Sequence, residues 1–319
     1  MTKLFVNELK SGDKVDSNFA VLEKQPVKEY KNGFMFTVKV SDKTDHMDVK
    51  YFGGTNKESV EGIWRGFDVG DIVHIIGEAG EWQNRTDVAI NPESGKIEKT
   101  DDFDPVDYVR KTEKDVGQMI SQLKQIIEDV SDSDIKKLLK GFFDDSEFMK
   151  SFAAAPAAMS RHHNYVGGLL EHVLSLIEIS KTVVKIYPKL NLDYLVAGCI
   201  FHDIGKIQEY KVGLGITYSN NGKLLGHIPI GYKMVSDKID KLESFPEVKA
   251  QKILHMILSH HGQLDWGSPI KPVFAEAVAL HFIDNVDAKI KGVFQDIGEV
   301  NSDVEWSAVT RDYGRLFLK

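Results

Sequence analysis

A chain of 319 residues is long for one core and suits two domains, and its 42% hydrophobic and 28% charged residues are those of a folded globular protein. No run approaches the roughly 18 apolar residues of a membrane span, so no membrane partner is expected. The net charge of −8 excludes nucleic-acid binding driven by overall field and leaves it to local patches, base stacking or bound cations.

Residues 1–98 read as a β module. GDKVDSNFAVLEKQPV suggests a strand, Lys31-Asn32-Gly33 is a hairpin turn signal, and FMFTVKV alternates Phe34, Phe36, Val38 and Val40 as a half-buried strand does. MDVKYF, a short helix around Lys57–Trp64, DIVHIIGEA and TDVAINP follow. Three strands, a helix and two strands is the order of a five-stranded OB barrel, an architecture that binds oligonucleotides. Tyr51, Phe52, Trp64 and Trp82 are candidates for stacking bases, with core positions as the alternative, while Phe34 and Phe36 are assigned to the core. Residues 99–112, including TDDFDPVDYVR, read as an acidic linker.

From residue 113 to 319 the periodicity turns helical, in VGQMISQLKQIIEDV, IKKLLKGFFDD and EFMKSFAAAPAAM, and predicts an all-α domain. The basic tail RDYGRLFLK offers Arg311 as a candidate contact to a nucleic-acid backbone. The opening MTKLFVNELKSGDK has no signal-peptide apolar block, and the single cysteine, Cys199, sits in the apolar run LVAGCIF. Both predict a cytoplasmic protein with Cys199 in a core.

Nine of the eleven histidines lie between His162 and His281. His172 falls on the Leu169–Leu176 face of the helix GGLLEHVLSLIEISKTVVKIY, where a lone histidine is usually a packed one. The helix LDYLVAGCIFHDIGK is almost wholly apolar yet ends in His202-Asp203, with Gly205 read as its stop. Ending a buried helix in an ionisable pair is costly unless something compensates, and a cation would do so. VKAQKILHMILS ends in His260-His261, and FAEAVALHFIDNVDAKI places Asp284, with Asp287 three residues on, in an apolar stretch. With His227, these residues predict an imidazole-and-carboxylate site suited to Mn, Fe, Zn or Mg, in which Asp203 could bridge two ions. Trp266, just after the His-His pair, is a candidate wall for a base, with core packing as its alternative.

The spacing of His172, His202-Asp203 and Asp284 resembles the HD superfamily of phosphohydrolases, and Lys206 completes its His-Asp-x-Gly-Lys motif. The LHxxD context of that superfamily favours Asp284 over Asp287. HHNYVGGLLEHV, FHDIGK, GHIPIG, LSHHGQLDWGSPIKP and EAVALHFIDNVDAK together look like the YhaM family of 3′–5′ exoribonucleases, over essentially the whole chain. That family often shows Asp-Lys-Thr-Gly in its OB module, where this chain has Asp42-Lys43-Thr44-Asp45.

The resemblance implies a metal-dependent exoribonuclease acting on single-stranded RNA, with DNA as an alternative and a homo-oligomer left open. It implies one or two ions, foremost Mn with Mg, Fe, Co or Zn as substitutes, held by His172, His202, Asp203, His227, His260, His261 and Asp284. It further implies that Asp203 and Lys206 act in catalysis and that His163 contacts substrate or protonates the leaving group. His281 would orient a ligand or simply pack. The rival readings are a phosphodiesterase of small or cyclic nucleotides and a non-catalytic single-strand-binding protein.

Overall fold

The computed structural model describes residues 3–82, 85–104, 107–159, 163–213, 215–298, 305–310 and 313–317. The chain divides into two units, one of residues 1–110, 212–217 and 299–319, the other of residues 111–211 and 218–298.

The first unit is built on strands β1 (Lys14–Lys24), β2 (Lys28–Tyr30), β3 (Gly33–Ser41), β4 (His46–Phe52), β5 (Ile72–Trp82), β6 (Arg85–Ile90) and β7 (Lys96–Lys99), with helix α1 (Lys57–Arg65) between β4 and β5. The sheet order β1-β3-β4-β6-β5 closes on itself because β1 also pairs β5, from Lys14↔Glu78 to Ala20↔Ile72. A register shift between Val21 and Glu23 bends β1, so its second half pairs with β3 while its first half pairs with β5. β4 and β6 run parallel, and this closed five-stranded barrel is the expected OB topology. β2 and β7 are additions, hydrogen-bonded to β3 and β5.

The hairpin turn falls at Lys31-Asn32, and Gly33 follows it with a φ of +139°. A Cβ there would lie 2.4 Å from the Gly54 carbonyl oxygen, so only glycine fits. At the Asp42–Asp45 turn, Asp42 Oδ1 accepts from the Thr44 amide at 2.7 Å and the Asp45 amide at 3.3 Å. Among the described residues the only non-glycines with positive φ are His163 and Ser244, so Asp45 turns the chain without the conformation that a glycine would supply. The segment read as a linker is held down: Tyr108 is buried with Ala20 and Ile72, and Lys43 pairs with Asp107 at 3.1 Å.

The second unit begins with α2 (Val116–Asp129), α3 (Ser133–Phe143) and α4 (Ser146–Ala154), each opened by an aspartate whose carboxylate accepts first-turn amides: Asp115, Asp132 and Asp145. Then come α5 (Gly168–Ile186), α6 (Leu192–Phe201), α7 (Lys206–Glu209), α8 (Asn220–Leu225), α9 (His227–Ile239), α10 (Glu247–Ser259) and α11 (Ala275–Gly298); between α7 and α8 the chain makes a short hairpin of β8 (Tyr210–Val212) and β9 (Ile216–Tyr218), whose residues 212–217 belong to the first unit. One apolar core runs through α2–α6 and α9–α11, with every residue of α6 from Leu195 to Phe201 buried. Cys199 lies in it, where burial pushes its thiol up to about 12. A closing hairpin, β10 (Trp306–Thr310) with β11 (Gly314–Phe317), belongs to the first unit and lies in the tail that the sequence assigned to the all-α domain.

Candidate metal centre

Five pieces of the second unit converge. α5 carries His172, the end of α6 carries His202 and Asp203, α9 starts at His227, α10 runs into His260 and His261, and α11 carries Asp284. Gly205 explains how α6 and α9 come so close. Its φ of −63° is right-handed, so it does not stop the helix in the left-handed manner expected, and a Cβ there would lie 2.0 Å from the His227 carbonyl oxygen. The glycine is required by the backbone crossing that delivers His227.

Among the described residues the side chains form three groups with ligand spacing: His172, His202 and Asp284 on one side, His227, His260 and His261 on the other, and behind His172 a third, His163, His172 and Asp287, whose members hydrogen-bond one another. Asp203 stands between the first two. Its Oδ2 is 3.2 Å from His202 Nε2 and 4.0 Å from His172 Nε2, while its Oδ1 is 3.4 Å from His227 Nε2 and 3.7 Å from His260 Nε2. Asp284 Oδ1 closes the first group, 3.2 Å from His172 Nε2 and 3.9 Å from His202 Nε2.

Each imidazole is aimed by what holds its Nδ1. His202 donates to the Cys199 carbonyl at 2.9 Å, His260 to Ile257 at 2.8 Å and His261 to Trp266 at 2.9 Å. His172 Nδ1 donates to Asp287 Oδ2 at 2.7 Å, and His227 Nδ1 lies 3.4 Å from Glu209 Oε1. Fixing Nδ1–H leaves the Nε2 lone pairs of these rings for the centre. Of the buried polar atoms that make no hydrogen bond, four meet here: His202 Nε2, Asp203 Oδ1, His227 Nε2 and His260 Nε2. Buried atoms of this kind are costly without a partner, and a cation is the partner that three imidazole lone pairs and a carboxylate oxygen share. The donor set therefore fits a divalent cation.

The electrostatics agree. Burial alone would raise the Asp203 carboxyl, but His202, Lys206 and His227 outweigh it and hold it well below the usual range. Burial opposes the His172 cation, yet the hydrogen bonds to Asp284 and Asp287 raise its pKa to about 9. Burial and the neighbouring rings push His260 well down, and burial depresses His261, which keeps both neutral.

Asp284 faces the cluster, whereas Asp287, three residues on, turns to the outer edges of His172 and His163, accepting from His163 Nε2 at 3.0 Å. Lys206 Nζ reaches Asp203 Oδ2 at 2.5 Å. His163 is buried, and both its ring nitrogens are engaged, Nε2 with Asp287 and Nδ1 with the Tyr165 hydroxyl at 2.9 Å, a geometry unlike that of a proton donor open to substrate. His281 is packed between Trp266 and Phe282 and donates to the His260 carbonyl at 2.8 Å. Sequence reasoning missed Glu209, and also Glu171, a buried carboxylate held down to about 2 against its own desolvation by Thr112, Tyr165 and Lys114. Nothing in their local pattern separates them from surface glutamates.

Among the expected substrate contacts, Trp266 is 55% exposed, so its ring is available. Tyr51 is 5% exposed and stacked on Phe36 at 5.0 Å inside the barrel, so no base can reach its face. Phe52 is half-buried, edge-on to Tyr30. The Trp82 side chain, Arg311 and His162 lie outside the described residues.

Residues 169–289, within the helical unit, match the HD domain family. The 3′–5′ exoribonuclease YhaM of Shouchella clausii is 34% identical over 260 residues, spanning 80% of this chain and 77% of that protein. Its counterpart from Halalkalibacterium halodurans is 33% identical over 266 residues, covering 81% and 78%, and that from Bacillus licheniformis is 32% identical over 268 residues, covering 81% and 80%. The chain belongs to the YhaM family of 3′–5′ exoribonucleases.

Proposed function

We propose that this chain is a metal-dependent exoribonuclease that removes nucleotides from the 3′ end of single-stranded RNA. The observation that carries the reading is the meeting of four buried, hydrogen-bond-free atoms of His202, Asp203, His227 and His260 at one place in a chain of this family. His172, His202, Asp203 and Asp284 would hold one divalent cation, and His227, His260 and His261, with the other oxygen of Asp203, a second. The imidazole and carboxylate donors suit Mn, with Mg, Fe, Co or Zn as substitutes. Such a pair, when bound, lowers the pKa of a water and stabilises the departing oxygen.

The protein's own groups do the rest. Asp203 keeps both oxygens charged and gives one to each side. Lys206 holds a positive charge against Asp203, where the phosphate's negative charge would arrive. Asp287 and Glu209 aim His172 and His227. His163 is here a positioning residue, tied to Asp287, rather than the acid of the reaction. Trp266, exposed beside His261 and His281, would stack a terminal base. The barrel offers Phe52, at the end of β4, as a second apolar contact.

The test is degradation of 5′-labelled single-stranded RNA with Mn and with chelator, beside a panel of cyclic and mononucleotides and a DNA ladder. A ladder shortening from the 3′ end, lost with chelator and in Asp203→Ala, supports the reading. Cleavage of small nucleotides alone, or full metal-dependent activity of Asp203→Ala, would overturn it.

A further inference from the structure

The turn that leads into α5 is built around His163, which is buried and has a φ of +58°. That left-handed conformation is unfavourable for any residue with a Cβ, and it persists only where the surroundings impose it. The backbone comes so close here that a Cβ on Gly168, the first residue of α5, would lie 2.1 Å from the His163 carbonyl oxygen.

The turn places His163 in a string of hydrogen bonds that leaves α5 at Glu171 and returns to it at His172. Glu171 Oε2 accepts from the Tyr165 hydroxyl at 3.0 Å, and that hydroxyl meets His163 Nδ1 at 2.9 Å. His163 Nε2 then donates to Asp287 Oδ2 at 3.0 Å, and the same oxygen accepts from His172 Nδ1 at 2.7 Å. Glu171 is the fixed end. Thr112 Oγ1 also reaches its Oε2, at 2.7 Å, while Lys114 and Lys291 reach Oε1 at 3.2 and 3.3 Å. Lys291 lies one turn beyond Asp287 on α11, so the same helix closes the circuit at both carboxylates. An aspartate alone can swing about its own torsions. Gripped from behind by His163, Asp287 stays on His172, whose Nε2 then faces Asp284 Oδ1 at 3.2 Å.

We propose that Tyr165 is a positioning residue of the metal centre: tied to Glu171, its hydroxyl holds His163 against Asp287 and so fixes the direction of His172, a role that rests on the cation reading of the cluster. The rival is a plain staple, in which Tyr165 secures only the start of α5 and leaves cation affinity untouched.

Titration calorimetry with Mn on the full chain, beside urea unfolding in chelator, separates the two for the wild type, Tyr165→Phe, Asp287→Asn, the double variant and Thr112→Val. Tyr165→Phe removes one oxygen and leaves Glu171 its bonds to Thr112, Lys114 and Lys291, so it should keep the wild-type circular dichroism. Thr112→Val takes a hydrogen bond from the same carboxylate oxygen but lies off the string. A partner directly on a metal-bound imidazole is worth about 10–100-fold in affinity, so Tyr165, two residues further back, should be worth about three- to tenfold. Thr112→Val should bind Mn as the wild type does. In the Asp287→Asn background Tyr165→Phe should cost no further affinity, because the string is already cut. Unchanged affinity in Tyr165→Phe, an equal loss in Thr112→Val, or a double variant that loses as much as both single ones together would each overturn the role of Tyr165 and leave the cation reading standing. A wild type that binds no Mn would overturn that reading, and the role of Tyr165 with it.

Discussion

Asp287→Asn tests whether the centre depends on how its imidazoles are held. Asp287 Oδ2 accepts from His172 Nδ1 at 2.7 Å and from His163 Nε2 at 3.0 Å, two charge-assisted bonds on one oxygen. An asparagine side chain has one acceptor and one donor end. If its amide nitrogen turns to His172, that ring must accept at Nδ1 and carry its proton at Nε2, the atom that faces Asp284 and Asp203. If its oxygen stays, the bond loses its charge. Partners of this kind are worth roughly 10–100-fold in metal affinity. At a Mn concentration a hundred times the wild-type dissociation constant, the wild type should gain about 2.7 kcal/mol of stability. The variant should then gain about 1.4 kcal/mol if tenfold weaker and about 0.4 kcal/mol if a hundredfold weaker. Titration calorimetry with Mn, paired with urea unfolding, reads both quantities. A dissociation constant within twofold of wild type, in a variant equally stable without cation, would refute the reasoning.

Gly205→Ala should cost about 1–3 kcal/mol in urea unfolding and weaken Mn binding, because the new methyl must push the His227 backbone away. Gly62→Ala in α1 meets nothing within 4 Å and should stabilise instead, by about 0.5–1 kcal/mol. Glu171 titrates near 2 in the fold against 4.5 in the open chain, so its contribution is fully present above pH 4.5 and disappears as the pH falls towards 2. That difference is worth at most on the order of 3 kcal/mol, and Glu171→Gln should flatten that limb of the stability–pH curve; an unchanged limb would remove Glu171 from the account. Chelation should leave the far-ultraviolet circular dichroism of the helical unit unchanged while lowering its melting temperature, and loss of helix on chelation would contradict a prebuilt site.

What the sequence made legible follows from how each feature is encoded. The barrel was readable because strand alternation and turn residues are local: Phe36 and Val38 flank the same turn signal whose glycine the Gly54 carbonyl demands. The histidine cluster was readable because helices of almost unbroken apolar character ended in ionisable residues. Asp284 and Asp287 could not be separated, because three residues on a helix is a rotation of about 60° back towards the same face. Only the packing of α11 on α5 decides that one carboxylate faces the centre and the other the back of His172. Glu209 was illegible for a similar reason, since its partner His227 is brought to it by the Gly205 crossing. Tyr51 shows the opposite error. An aromatic residue on a barrel strand points in or out by the parity of a register, which the antiparallel pairing with β3 fixes: Tyr51 pairs with Phe36 and shares its inward face.

The cost of assembling this centre falls on the rest of the helical unit. Bringing five rings and two carboxylates into a buried volume opposes solvation of every one of them, and in a small metal-folded domain the ion itself would have to offset that. Here the candidate ligands sit on or at the ends of α5, α6, α9, α10 and α11, whose apolar faces form a continuous core from Leu169 through Leu195, Val235 and Ile253 to Leu280. That core contains no ligand, so its burial is available whether or not a cation is bound. Charge is balanced within the protein as well: Lys206 is paired with Asp203, and His172, held near a pKa of 9, carries a proton between Asp284 and Asp287. A cation in the first group would compete with a proton at His172 Nε2 for the same lone pair, so it would be held less firmly at lower pH. The carbonyl and carboxylate partners at each Nδ1 keep the rings aimed, so a cation would replace charge in a site whose shape is already set.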